Sequence, residues 1–578
     1  MTAGFSFPLN VYARLLELQE GRVDYLHFGV FDHPDEPVLR AQQRASDLLW
    51  QALPAPGRVL EVGIGVGTTL ARLWREGWQP LGITPEAAQI EVARKRHGPD
   101  LPLRCARLEE LDAAAGAFDV LLFQESAQYV APLDLFAAAE RLLADGPAHI
   151  VVMDEFALTR REAAHWGLRH RDHFVALAER FGWTLDRSVD LSQAVQPTIA
   201  YLLDGLRRKK PDLLASLPVT LAQFDELDAA LRRVQQLYAT GVQGYALLRF
   251  TRTRSPAQHP VRVEAGSAAE VRALFGEVFG HPMSEADWAW KYGEGRGCAL
   301  GLRRGGRLLA HYGGLRRMVW HAGERFAACQ VCDVIVHADL RSHLGRRNAL
   351  HGLTASFLES EIGWGLPHRV GFGFPTDRAF RVAQRLGLYE AVDTMDCASW
   401  PALRLERELP VQGLQAAQLR PGRVEAAEVD ALWREMRDER QHDFIAERDA
   451  AWLRHRYLDH PRWRYHIAMV RSRWLRAPLG VVVWREHEEH LEWVDWVGCS
   501  ASLPALLGVL RDQAFRAGKS RVDAWITSSH RAVLQCLAPG VSWRPLEITV
   551  PANVYSPGPS VASLRSCWWL TAGDTDFR

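Results

Sequence analysis

The sequence predicts an α/β chain: a doubly wound parallel sheet in its N-terminal part, then two α+β domains built on a common plan. Three observations lead there. Between residues 57 and 154 short apolar runs alternate with amphipathic helical stretches, the order that sets parallel strands between helices on both faces. The stretch "TRTRSPAQHP" (251–260) is polar, proline-bearing and without period, as a linker is. Beyond it, a trio of strands followed by helix, strand and helix occurs twice. Each trio is preceded by a similar tag, "ADWAWKY" (286–292) and "AAWLRHRY" (450–457), which points to an internal duplication. A chain of 578 residues is too long for one core, and the divisions expected are 1–253, 262–400 and 417–578.

In the first domain "RVLEVGIG", "QPLGIT", "FDVLLFQE" and "AHIVVMDEF" read as strands. "TTLARLWREG", "PEAAQIEVARKRHG" and "LDLFAAAERLLADG" carry the helical period between them. Residues 196–240 read as helices, either capping a pocket or completing the core, before a last strand, "GYALLRFTR". In the second domain "CALGLRRGGRLLAHYGGLRRMVW" predicts two strands about a Gly-Gly turn. A third strand "CQVCDVIVH", a helix over 344–360, a strand "HRVGFGF" and a helix "DRAFRVAQRLG" follow. The third domain repeats the plan with "YHIAMVRS", "APLGVVVWREH", "HLEWVDWVG", the helix "LPALLGVLRDQAFRAG", the strand "RVDAWIT" and the helix "SHRAVLQCLAPG". The closing "CWWLTAGDTDFR" is expected to dock its tryptophans on the core.

With 69 basic and 69 acidic residues the net charge is zero, so nothing draws the chain to nucleic acid or to an anionic membrane. No apolar run reaches the ~20 residues that span a bilayer, and the start carries no secretion signal. The eight cysteines are scattered, a pattern of reduced thiols in a cytoplasm. Cys329 and Cys332 form one C-x-x-C inside a predicted strand, with no second pair at zinc spacing; Asp574 and Asp576 likewise lack a third ligand, so no metal site is predicted. Oligomeric state is left open.

Chemistry concentrates in "VLEVGIGVGTTL" (59–70), where Gly63, Gly65 and Gly67 join a strand to a helix and Glu61 stands before the first glycine. Glycines there allow a tight turn and close approach of a ligand to free amides. With its acidic residue at the strand end, "LEVGIGVG" resembles motif I of class I S-adenosylmethionine-dependent methyltransferases. "GITPEAAQ" resembles their second strand and turn, and "FDVLLFQES" their fourth strand. Gly82, Thr84 and Gln89 follow the cyclopropane-fatty-acid-synthase-like and small-molecule branch, as does the aromatic "DYLHFGVFD" (24–32).

That resemblance implies a Rossmann-like domain with S-adenosylmethionine as cofactor. The three glycines would pass under its methionyl and ribose portions, and Glu61 would bond near its amino group. Thr84 and Gln89 would face the ribose hydroxyls, Leu108 and Glu109 the adenine, and Gln124 would close the site. Candidates for proton transfer are Glu125, Tyr25, His27 and Tyr129. "LFQESAQYV" lacks the Glu-His pair of the lipid enzymes, which favours a small soluble acceptor.

The strand–helix–strand–helix core at 330–390 resembles the GCN5-related N-acetyltransferase (GNAT) fold, on "VCDVIVHADLR" and "GFPTDRAFRVAQRLGLYE". The resemblance implies a site for acetyl-CoA or another acyl-CoA at Val334, Ile335, Val336, Arg341, Gly345, Arg346 and Arg347. The family's R-x-x-G-x-G/A loop is altered: Leu344 and Arg346 stand at the glycine positions, and Ala383 stands where its tyrosine acid would be. The second copy, "GCSASLPALLG", has no such loop. Three readings stay open: a methyltransferase with an acyl-CoA-binding C-terminal region, acyl transfer as the principal activity, or a C-terminal half that is a non-catalytic platform.

Overall fold

The computed structural model describes residues 4–159, 167–253, 256, 258–340, 348–404, 414–418, 426–472 and 476–577. The chain divides into two compact units, Met1–Val261 and Arg262–Arg578.

The N-terminal unit is one seven-stranded sheet in the order β3-β2-β1-β4-β5-β7-β6. Its strands are β1 (Arg58–Val62), β2 (Gln79–Thr84), β3 (Leu103–Cys105), β4 (Val120–Gln124), β5 (Ala148–Ala157), β6 (Thr184–Asp190) and β7 (Gln243–Arg252). The first five run parallel, and β7 is antiparallel to both β5 and β6. Strand β4 is buried along "VLLF", the continuous apolar run of a strand covered on both faces. The strand order reverses between β1 and β4, which opens a crevice beyond their carboxyl ends.

Helices α3 (Thr68–Arg75), α4 (Ala87–His97) and α5 (Pro132–Leu142) supply the predicted crossovers, after two N-terminal helices, α1 (Leu9–Glu20) and α2 (Val38–Ala52). Following α6 (Arg171–Arg180), the helical stretch expected over 196–240 is α7 (Gln196–Ser216) and α8 (Leu221–Ala239). Thr220 and Gln223 start α8 with a reciprocal capping box. Val11 and Leu15 of α1 share a core with Leu202 and Leu206 of α7 and Phe224 of α8.

A short strand, β8 (Pro260–Arg262), lies at the junction of the units. The C-terminal unit holds two further sheets. The first sheet contains β9 (Gly297–Arg304), β10 (Arg307–His321), β11 (Glu324–Val336), β12 (Val370–Gly373), β15 (Phe444–Ala446) and β21 (Trp568–Trp569). The second runs β14-β16-β17-β18-β19-β13-β20. It comprises β14 (Leu414–Gln418), β16 (His466–Ser472), β17 (Pro478–Glu486), β18 (His490–Val497), β19 (Arg521–Thr527), β13 (Tyr389–Pro401) and β20 (Ser542–Asn553).

The α-helices described in this unit are α9 (Ala268–Phe279), α10 (Glu285–Tyr292), α11 (Ala349–Glu361) and α12 (Asp377–Arg385), then α13 (Ala426–Glu439), α14 (Ala450–Leu453), α15 (Leu503–Arg516), α16 (Arg531–Gln535) and α17 (Val561–Leu564). The two copies exchange strands. β13, which ends the first copy, lies between β19 and β20 of the second, while β15 and β21 extend the first sheet. One core therefore joins Phe326 and Val370 of the first copy to Trp400, Trp493, Trp496, Trp568 and Trp569. The last two tryptophans are 0% and 1% exposed, as the docking of the C-terminal segment requires. Among the described residues no helix is long and apolar enough to cross a membrane.

Candidate functional site

The turn after β1 is built for glycine. Gly63, Gly65 and Gly67 have φ of 82°, 53° and 81°, a region costly for residues with a Cβ. Two of the three are also crowded: a Cβ would lie 2.6 Å from Ser126 Cβ at Gly63 and 2.7 Å from Ala93 Cβ at Gly67. Gly65 differs, since a Cβ there would meet only Leu26 Cδ1 at 3.6 Å. Gly63 and Gly67 thus pack the turn against its neighbours, and Gly65 leaves its outer side open.

Glu61 sits in β1 just before this turn, 2% exposed, and its Oε2 is buried with no hydrogen-bond partner among the described residues. Burial alone pushes its carboxyl up to about 8. A buried, unsatisfied carboxylate is costly unless a donor arrives to meet it. An ammonium group is such a donor, so Glu61 and the open Gly65 suit the amino-acid end of S-adenosylmethionine.

Thr84 and Gln89 are turned toward each other. Thr84 Oγ1 donates to Gln89 Oε1 at 2.9 Å and accepts from Glu86 N at 3.2 Å, while Gln89 Nε2 donates to Glu86 Oε2. Leu108 is buried and Glu109 exposed beyond β3. Gln124 ends β4; its Oε1 accepts from Thr69 Oγ1 at 3.2 Å, and its Nε2 is buried without a partner among the described residues.

The proton-transfer candidates separate clearly. Glu125 has φ 53°, and its Oε1 accepts from Phe28 N at 2.6 Å and from Tyr245 Oη at 2.7 Å. Burial raises its carboxyl well above the usual range, against the pull of the Phe28 and Tyr245 hydrogen bonds. His27 Nδ1 donates to the Phe28 carbonyl at 2.9 Å, which leaves Nε2 as the acceptor nitrogen, buried and without a partner among the described residues. Burial lowers its pKa to about 4. Tyr25 donates to Gln43 Oε1 at 3.3 Å, and its ring lies 4.7 Å from that of His27. Tyr129 is 81% exposed. Gln42 Nε2 donates to the carbonyls of Tyr25 and His27, fixing this aromatic segment to α2.

Sequence reasoning missed the groups behind Glu125. Asp154 and Glu155 end the apolar part of β5; Glu155 Oε1 accepts from Tyr238 Oη and Gln243 Nε2, each at 2.8 Å. Asp154 Oδ2 accepts from Gln128 N at 3.1 Å, and burial raises its carboxyl to about 7. The signal available was an acidic pair where an apolar strand should continue.

In the C-terminal unit, Val334, Ile335 and Val336 end β11, and Ile335 is fully buried while Val334 is 38% exposed. Arg341, Gly345, Arg346 and Arg347 lie outside the described residues. Beside these strand residues stands a cluster the sequence did not announce. Lys291 Nζ donates to Asp333 Oδ1 and to Asp576 Oδ2, both at 2.9 Å, and Tyr292 Oη donates to Asp333 Oδ2 at 2.8 Å. The second copy has the matching pair, Tyr457 Oη donating to Asp495 Oδ2 at 2.8 Å. Asp574 and Asp576 meet cations of the chain itself. Asp574 takes Arg317 and Arg448, and Asp576 takes Lys291. At the start of α15, Ser500 N donates to Glu439 Oε2 at 2.8 Å, so a carboxylate of the chain itself meets that loop amide.

Residues 59–146 match a family model described as a methyltransferase domain, and residues 261–390 match one described as an acetyltransferase (GNAT) domain. The methyltransferase GfsG of Streptomyces halstedii is 29% identical over 198 residues, covering 30% of this chain and 71% of that protein. A structure from Enterococcus faecalis named "Probable N-Acyltransferase" has 14% identity and a TM-score of 0.43, over 52% of this chain and 74% of its own. Cyclopropane synthase MmaA2 of Mycobacterium tuberculosis has 17% identity and a TM-score of 0.35, over 43% and 97%. The chain carries a methyltransferase domain with a GNAT acetyltransferase domain behind it.

Proposed function

We propose that the N-terminal unit methylates a small metabolite in the cytoplasm, with no nucleic acid as partner, and that the first GNAT-like copy binds an acyl-CoA while the second serves as its scaffold. The observation that carries the first part is Glu61 Oε2, buried and unpartnered beside the open face of Gly65. S-adenosylmethionine, when bound, supplies a methyl group on a sulfonium for in-line displacement. The chain's share is positioning and the fate of the acceptor's proton.

Glu61 would hold the cofactor's amino group, the amides of the glycine turn its carboxylate, and the Thr84–Gln89 pair its ribose. Of the four proton-transfer candidates we assign the base to His27, because it is neutral at physiological pH and its Nε2 lone pair is unused. Glu125 holds the Phe28 amide and so positions His27. Zero net charge supports a small-molecule acceptor over a polyanion.

The scaffold role of the second copy rests on Glu439, which meets the Ser500 amide in the loop where an acyl-CoA phosphate would be received. Calorimetric titration of the full chain with S-adenosylmethionine tests the first reading. Tight binding by the native chain and a loss of at least tenfold in Glu61→Gln are the expected results; native-like affinity in that variant would refute the assignment. Titration with acetyl-CoA tests the second: no binding would leave the C-terminal unit a non-catalytic platform.

A further inference from the structure

Two groups of side chains in the C-terminal unit bring three potential metal ligands within 4.8 Å of one another: Cys332 with Asp333 and Asp576, and Cys298 with Cys329 and His368. The first already holds a cation, because the Lys291 ammonium donates to both aspartates. No cationic side chain bonds to the second among the described residues, and its ligands are two thiols and an imidazole.

The backbone shapes that meeting point. Cys298 on β9 lies opposite Gly314 on β10, and Cys329 on β11 lies opposite Arg316, two residues further along the same face. A Cβ at Gly314 would overlap Cys329 Sγ and stand 3.7 Å from Cys298 Sγ, so the missing side chain leaves the space in which the sulfurs converge. His368 comes from the turn between α11 and β12. Its backbone N–H and its Nδ1 both reach the Glu361 carbonyl, each at 3.0 Å. A ring nitrogen donating to a carbonyl is how a metal-binding histidine is oriented, and it leaves Nε2 as the coordinating atom.

We propose that Cys298, Cys329 and His368 bind one zinc-class divalent ion, which ties β9, β11 and the lead-in to β12 together. Soft sulfur ligands with imidazole select zinc over magnesium or calcium. Each thiol loses its proton as its sulfur–metal bond forms. Two thiolates, one neutral imidazole and a divalent ion then leave the buried site uncharged. The half-exposed side of Cys298 admits water as a fourth ligand. The C-x-x-C spacing does not define this site, since Cys329 meets Cys298 across the sheet and Cys332 does not take part.

The test is titration of the reduced, chelator-stripped full chain with Co2+, followed by absorption. One equivalent should give a thiolate-to-cobalt charge-transfer band in the near ultraviolet, bleached by Zn2+, with release of two protons. The band should disappear in Cys298→Ser and Cys329→Ser, weaken in His368→Gln and persist in Cys332→Ser. Cys298 is partly exposed, so its serine variant keeps the test decisive even if Cys329→Ser does not fold. Absence of the band, binding that gives only weak d–d absorption, or a band lost in Cys332→Ser and kept in Cys298→Ser would each overturn the proposal.

Discussion

Tyr245, on β7, donates its phenolic proton to Glu125 at the end of β4, 2.7 Å away, although β5 lies between those strands. Tyr245 also stacks on Phe28, whose amide donates to the same Glu125 oxygen. One carboxyl thereby joins the sheet, the aromatic N-terminal segment and the strand that follows α8. Tyr245→Phe keeps the ring and removes the donor, leaving a buried acceptor short of one bond. A loss of about 1–3 kcal/mol is expected by urea denaturation. Methyl transfer should fall as well, because Phe28 carries the backbone that orients His27. A variant as stable and active as the native chain would show that Glu125 positions nothing.

The raised carboxyl of Glu61 makes part of the stability depend on pH in a definite direction. Its folded pKa of about 8 stands above an ordinary 4.5, so the native state binds the proton more tightly than the unfolded chain. That contribution is complete below pH 4.5 and fades as pH rises to 8. Glu61→Gln has no proton to lose. The stability difference between native chain and variant, read from Tm at several pH values, should therefore shift in the variant's favour from pH 5 to about 8, the upper limit set by that pKa. S-adenosylmethionine should reverse the trend in the native chain only, because an ammonium stabilises the ionised carboxylate.

What the sequence made legible follows from where burial leaves a pattern. Strands β1, β2, β4 and β5 are apolar runs between amphipathic helices, and the period shows them. Strand β6, "TLDRSVD", alternates exposed and half-buried positions at the sheet edge and carries no apolar run, so nothing marks it. The glycine turn and Glu61 were readable because positive φ and an acidic strand end are local demands. The Glu125–Tyr245 pair spans 120 residues and the Cys298–Cys329–His368 group three separate segments, which no local pattern announces. The strand exchange was hidden for another reason: no strand was expected over β13, whose place is set by pairing with β19 and β20, more than a hundred residues further along the chain.

The three glycines of the turn should respond differently to the same substitution. Gly63→Ala and Gly67→Ala each combine a positive φ with a Cβ less than 3 Å from another side-chain carbon. Each should lose more than the ~1–2 kcal/mol that a left-handed backbone alone costs. Gly65→Ala pays only the backbone term, and its melting temperature should stay above those of the other two. Its added methyl faces the open side, so cofactor affinity should fall although the fold survives. Calorimetry and thermal melts on the three variants separate packing from binding; equal melts and equal affinities would contradict this division of labour.

Arg448 is 0% exposed and joins the tail to the second sheet. Its Nε donates to Asp495 Oδ1 at 3.0 Å, its Nη2 to Asp574 Oδ2 at 2.6 Å and its Nη1 to the Ala446 carbonyl at 2.8 Å. Arg317 holds the other oxygen of Asp574 at 3.1 Å and stacks on Trp452 at 3.6 Å. Arg448→Met fills similar volume but leaves two buried carboxylates short of a counter-charge, a change that costs about 3–5 kcal/mol when one partner of a buried pair is removed. The Arg325–Glu447 pair nearby is largely solvated, and Arg325→Ala should cost under about 1 kcal/mol. Because Asp574 belongs to the tail and Ala446 to β15, Arg448→Met should also speed proteolysis of the C-terminal segment. If the two arginine variants unfold at the same urea concentration, the buried network does not hold the strand-exchanged copies together.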